Sequence, residues 1–223
     1  MIYAISDLHL SGAKDKPMSI FGVKWDKHWD KIYQNWRRDI TDDDIVIIPG
    51  DISWAMTLED AMIDLNEIGG LPGGKIILRG NHDFWWSSVS KLKRQLPPSI
   101  KVIQNDCVET EDAVICGSRL WLVEQDNPQD QKIFKREILR LQMSLDAAGK
   151  IGGKRIIAAV HFPPFNEKGE ENEVTALFER YGVDTVIYGH VHTYFGNYPP
   201  RVINGIKYFL VSCDALNFQP MRI

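Results

Sequence analysis

Five short apolar runs, each broken by a residue able to bind a metal, set the rhythm of this chain. Ile2–Ser6 runs into Asp7-Leu8-His9, and Ile45–Ile48 runs through Pro49-Gly50 into Asp51. Lys75–Arg79 ends at Gly80-Asn81-His82-Asp83, Ile156–Val160 at His161, and Asp184–Tyr188 at Gly189-His190-Val191-His192. Their length and their β-branched content predict buried strands. Helices are predicted between them. Thr57–Ile68 has Thr57 as N-cap and ends at Gly69-Gly70; Ser87–Gln95 is closed by Pro97-Pro98. Gln131–Ala148 stops at Gly149, and Glu173–Tyr181 precedes the last buried strand. Lys101–Gln104, Cys107–Thr110 and Ala113–Cys116 read as three short strands, the latter two a hairpin. Arg201–Ile203 and Ile206–Cys213 flank Asn204-Gly205, and Asn-Gly between apolar runs is the strongest short hairpin signal. The pattern predicts an α/β chain forming one domain over residues 1–223, without repeats or linkers.

One stretch departs from this rhythm. Trp25, Trp29, Ile32 and Trp36 are spaced four, three and four apart, which predicts one apolar helix face within a Trp-rich helical insertion around residues 21–40. A tryptophan stripe at that spacing reads first as core packing. The second reading is a cap over the strand ends. His28, among Lys and Asp on the same stretch, reads as a solvated surface residue.

Composition narrows the class. At 44% hydrophobic and 25% charged, the chain has the balance of an ordinary globular protein. A net charge of −4 gives no footprint for general nucleic-acid binding. No apolar run reaches the length of a membrane span, and no leader is evident before the first strand. Cys107, Cys116 and Cys213 form no metal or redox motif, which suggests free thiols and an expected cytoplasmic location.

In α/β proteins, ligands gather just past the carboxyl ends of parallel strands. Five strand ends here deliver Asp7, His9, Asp51, Asn81, His161, His190 and His192. Imidazole, carboxylate and amide oxygen suit Mn²⁺, Fe or Zn²⁺, and no thiolate is placed to make a structural zinc site. Seven ligands exceed one four-coordinate ion and suit two ions sharing a carboxylate.

These motifs resemble those of the calcineurin-like metallophosphoesterases: Asp7-x-His9, Gly50-Asp51, Gly80-Asn81-His82-Asp83, His161 and Gly189-His190-x-His192. The resemblance implies two mixed β-sheets packed as a sandwich flanked by helices, with a two-metal site at one edge. It implies that Asp7, His9, Asp51 and His192 hold one divalent ion. Asp51, Asn81, His161 and His190 would hold the other, with Asp51 bridging. His82 would be a catalytic group beside them, and the nucleophile a water or hydroxide between the ions. The second Asp and the phosphate-binding Arg that follow Gly-Asp in the family's protein phosphatases are missing, since Ile52-Ser53-Trp54-Ala55 follows Asp51. Asp83 is therefore expected to orient the His82 imidazole. Arg119 and Arg79 are candidates for binding phosphate, and Trp85 and Trp86 for lining the pocket. The expected activity is hydrolysis of a phosphate mono- or diester on a small phosphorylated molecule, possibly a nucleotide. The alternative is a non-catalytic binding module on the same scaffold; the complete ligand set favours the enzyme.

Overall fold

Alternation along the strands builds the layers. In the computed structural model, which describes residues 1–14, 16–123, 127–166, 169–192 and 200–223, eleven strands form two mixed sheets. The first has the order β11-β1-β2-β3-β4, using β1 (Ile2–Ala4), β2 (Ile45–Pro49), β3 (Gly74–Leu78), β4 (Ile100–Val102) and β11 (Met221–Arg222). The second has the order β5-β6-β7-β8-β10-β9, using β5 (Cys107–Glu109), β6 (Ala113–Ser118), β7 (Arg155–Val160), β8 (Val183–Tyr188), β9 (Arg201–Ile203) and β10 (Ile206–Leu210).

Successive side chains on a strand face opposite ways, so each strand feeds two layers. Ile2, Ala4, Ile47 and Ile76 meet Ala113, Ile115, Ile157 and Ala159 in the apolar seam between the sheets. The opposite face of the first sheet, with Val46, Ile48 and Ile77, packs on Ile32, Trp36, Leu65 and Leu92. Those side chains come from α1 (His28–Asp39), α2 (Leu58–Gly69) and α3 (Val89–Gln95). The outer face of the second sheet packs on Leu141, Leu145, Val174 and Phe178, from α4 (Pro128–Ile151) and α5 (Glu173–Arg180). The result is the expected sandwich of two sheets between helices.

Local signals explain most boundaries. Asp60 N–H donates to Thr57 Oγ1 at 3.2 Å, capping α2 as expected. Asn204 (φ 49°) and Gly205 (φ 83°) make the tight turn between β9 and β10. The Trp stripe requires correction. The helix begins at His28, because Lys27 sits at φ 48° and interrupts it, and Trp25 belongs to a separate 3-10 turn, Val23–Trp25. The buried stripe of α1 is His28, Ile32 and Trp36. His28 is thus not a solvated residue: its Nε2 lies 2.9 Å from the Leu8 carbonyl oxygen and braces the turn between Asp7 and His9. β11, which pairs antiparallel with β1, has no counterpart in the sequence reading.

Candidate metal centre

Parallel pairing of β1, β2 and β3, and of β6, β7, β8 and β10, brings their carboxyl ends to one edge of the sandwich. The sheets are laced together there: Ser6 N–H donates to Val211 O at 2.7 Å, and Cys213 N–H to Ser6 O at 2.9 Å. The glycines before the motifs permit the close approach. A Cβ on Gly80 would lie 2.1 Å from Asp51 Oδ1, and one on Gly50 would lie 2.6 Å from the Gly80 backbone. Asp7, His9, Asp51 and His190 hold positive φ, between 46° and 69°, a conformation uncommon for residues bearing a Cβ. The chain turns abruptly at each, and so delivers its side chain inward.

Two donor groups result. Asp7, His9 and His192 bring ligand atoms within 4.8 Å of one another, and so do Asp51, His161 and His190. Asp51 Oδ2 lies between the groups, 3.8 Å from His9 Nε2 and 3.5 Å from His161 Nε2. Asn81 Oδ1 joins the second group, 2.6 Å from His161 Nε2 and 3.0 Å from His190 Nδ1.

The donors carry the electrostatic signature of a cation site. Asp7, Asp51 and His161 are buried, and no Lys or Arg pairs with either carboxylate among the described residues. Burial, reinforced by the charges of Asp7 and Asp83, pushes the Asp51 carboxyl well above the usual range. Burial pushes His161 down to about 3 and His190 down to about 4, which keeps both imidazoles neutral and able to ligate. His9 is lowered in the same way, and its buried Nδ1 has no hydrogen-bond partner. Close-set carboxylates and neutral imidazoles without an internal counter-charge fit divalent ions.

An outer shell fixes the donors. Ser6 and Ser212 hydroxyls donate to Asp7 Oδ2 at 2.5 and 2.9 Å. His192 Nδ1 lies 2.9 Å from Asp214 Oδ1; burial lowers this imidazole, but Asp214 and the Asp7 charge outweigh it and raise it. Asp214 escaped the sequence reading, although Val211-Ser212-Cys213-Asp214 is a further apolar run ending in a carboxylate.

A cavity of about 480 Å³ opens onto the first donor group. Its polar wall is His9, His82 and His192; its apolar wall is Met18, Ile20, Phe21, Trp25 and Trp54. Trp54 stacks on His9 (centroids 4.7 Å apart, planes at 19°) and packs against His82 at 4.5 Å. Lys16 Nζ stands 3.2 Å from the Trp54 ring centroid.

A family model for calcineurin-like phosphoesterases matches residues 1–194. The chain belongs to the calcineurin-like phosphoesterase family. Among curated proteins no significant sequence match was found. The chain superposes on a protein of unknown function from Aquifex aeolicus (TM-score 0.53, 18% identity, 99% of this chain and 94% of that one). It also superposes on phosphopantetheinyl hydrolase from Mycobacterium tuberculosis (TM-score 0.58, 12% identity, 97% and 90% covered). A third neighbour is the protein TT1561 of Thermus thermophilus (TM-score 0.64, 13% identity, 96% and 89% covered). At these identities the likenesses speak for the fold alone.

Several expectations for the residues around this centre need correction. Asp83 does not face the His82 ring. Its buried carboxylate accepts N–H groups from Gly80 (2.7 Å), Asp51 (2.9 Å), Ile52 (2.9 Å) and Ser53 (3.3 Å), and the Trp85 indole N–H (3.0 Å). Trp85 is accordingly a core residue. Trp86, Arg79 and Arg119 line a separate pocket instead of the cavity over His9 and His192. Trp36 is core, as the first reading of the stripe held, whereas Trp25 also walls the cavity, as the second held. No helix among the described residues is long and apolar enough to cross a membrane.

Proposed function

We propose that this single-domain chain is a two-metal phosphohydrolase acting on a phosphate mono- or diester of a small molecule, with nucleotides among the candidates. The supporting observation is Asp51, whose Oδ2 sits within 4 Å of an imidazole from each donor group. In this reading Asp7, His9, His192 and Asp51 hold one divalent ion, and Asp51, Asn81, His161 and His190 the other. Mn, Fe and Zn all suit such donors. Two such ions would supply an activated water and neutralise charge developing on the phosphoryl oxygens.

The chain's own residues do the rest. The Asp51 carboxylate accepts the His82 backbone N–H at 2.8 Å, which holds the His82 loop over the donors. The His82 ring lines the cavity, and in this reading it gives a proton to the departing alkoxide; burial, then the charges of Lys16 and His192, lower this imidazole, so its donor form belongs to the acid side of the pH range. Trp54, Trp25, Phe21 and Ile20 wall the same cavity, so the alcohol portion of the ester carries an apolar or aromatic face. The free cysteines fit a reducing, cytoplasmic setting.

The test is metal analysis combined with a panel of mono- and diesters, assayed with Mn²⁺, Fe²⁺ or Zn²⁺. We expect two ions per chain and turnover. Asp51→Ala should lose more metal than any other single ligand change. Two ions bound as tightly by Asp51→Ala as by the parent would remove the bridging role. Tight metal binding without turnover on any ester would favour the binding-module alternative.

A further inference from the structure

The second pocket joins residues that the metal centre does not use. It lies at the ends of β3 and β6, has a volume of about 120 Å³, and brings together Arg79, Arg119 and Arg140 around Glu137 of α4. Glu137 is 1% exposed, and three guanidinium groups converge on one of its oxygens: Arg140 at 3.0 Å, Arg136 at 3.5 Å and Arg119 at 3.6 Å. Three arginines thus pair with one carboxylate, and a fourth, Arg79, lines the same pocket. Arg79 also lies in the field of Asp83, the strongest negative charge acting on it, whose oxygens accept five N–H groups, none of them from the guanidinium. Asp106, next to Asn105, caps Gln104 N–H and pairs with Lys93.

Arg79 and Arg119 are the partly buried members of this group, whereas Arg140 and Arg136 reach solvent. The Arg119 guanidinium lies 4.7 Å over the Trp121 ring, and burial pushes the guanidinium groups of Arg119 and Arg79 below their ordinary range. The Nε groups of both arginines are buried without a hydrogen-bond partner. So is Oδ1 of Asn105, a residue held at φ 64° in the wall of the same pocket. Its amide presents an NH₂ instead when rotated by half a turn. A buried guanidinium N–H without an acceptor is costly, and here four guanidinium groups outnumber the two carboxylates, Glu137 and Asp83, that act on them. An oxyanion seated among these arginines removes that cost, since Arg is the side chain best matched to such groups.

We propose that the pocket of Arg79, Arg119, Arg140, Asn105 and Ser87 is a phosphate-binding subsite separate from the metal centre. Its volume suits one tetrahedral oxyanion better than a nucleoside or a sugar. Two features tie it to the centre. Arg79 is two residues from Asn81, and the Arg119 carbonyl accepts the Phe162 N–H, next to His161. The occupant is either a second phosphate of the substrate or free phosphate.

Calorimetric titration of inorganic phosphate into the full chain carrying Asp51→Ala isolates the subsite from the metals. One phosphate should bind, and Arg79→Met should weaken it at least tenfold. Ser87→Glu, at a half-buried position in the pocket wall, places a carboxylate there and should abolish binding without unfolding the chain. Absence of phosphate binding in Asp51→Ala, or equal binding in Ser87→Glu, overturns the proposal, whatever the metal centre does. The source is read in the parent enzyme by inhibition of p-nitrophenyl phosphate turnover. If the subsite serves a substrate phosphate, propane-1,3-diol bisphosphate inhibits more tightly than propyl phosphate, and Arg79→Met erases the difference. If it serves free phosphate, the two inhibit alike while calorimetry still shows the bound ion.

Discussion

Asp83 holds Asp51 by the backbone: one carboxylate oxygen accepts the Asp51 N–H at 2.9 Å, and the other accepts the next N–H, from Ile52, also at 2.9 Å. The loop that carries the shared ligand is therefore built on a buried carboxylate from the neighbouring loop. Asp83→Asn keeps the shape but turns one acceptor into a donor facing N–H groups. It should cost about 3 kcal/mol of stability, the range for unsatisfied buried polar groups. It should also lower metal affinity about 10–100-fold, as loss of an outer partner does. Thermal unfolding with and without metal checks both; unchanged metal affinity would show that Asp83 serves the fold only.

His82 should separate from its neighbours by leaving group. General acid catalysis is worth about 10²–10⁴ in rate, and matters when a poor leaving group departs. His82→Ala should keep both metals, lose that factor on alkyl esters and lose clearly less on p-nitrophenyl esters. Asn81→Ala should weaken one ion and slow both substrates alike. Equal losses for His82→Ala on both esters, with metal retained, would replace proton donation by charge stabilisation.

The apolar wall of the cavity is testable where it is exposed. Ile20 and Phe21 are 67% and 54% exposed, so truncating them leaves stability within about 0.5 kcal/mol. Phe21→Ala should raise KM for a naphthyl ester about tenfold, or about 1.4 kcal/mol, and leave a methyl ester unchanged. Steady-state kinetics on the two esters decides; parallel changes would place Phe21 outside the substrate's reach.

Lys75 gives the pH dependence of stability. This side chain is 1% exposed, donates to the Leu71 carbonyl and lies 3.4 Å from that of Gly69. Burial pushes its ammonium down to about 8 from 10.5. The unfolded chain therefore binds the proton more tightly, and folding is penalised wherever the unfolded lysine is charged. The penalty is full below pH 8 and fades as pH rises towards 10.5. Denaturant titrations should show Lys75→Met gaining on the parent at pH 7 and losing that advantage by about pH 10.

What was legible in the sequence follows from what fixes each feature. The ligands could be read because chemistry and position coincide: a strand must end where its apolar run ends, and parallel strands end together. The direction of a side chain after a tight turn has no such marker. Asp83 adjoins His82 in sequence, yet the turn sends it beneath Asp51. Trp25 fits a helical spacing, but Lys27 breaks the helix, and the true stripe begins with a histidine that polarity alone would leave in water. The meeting of Arg79 with Arg119 depends on two different sheets packing face to face, which no local pattern encodes.

The left-handed backbone at Asp7, His9, Asp51 and His190 has an evolutionary consequence. Left-handed conformations at residues bearing a side chain cost up to about 1–3 kcal/mol each, and glycine is free of that penalty. At these four positions selection for a sturdier fold and selection for chemistry point in opposite directions. A descendant released from its reaction would drift towards glycine there first, becoming more robust as it fell silent. Glycines appearing together at these four positions would mark a lineage that has abandoned catalysis while keeping its architecture.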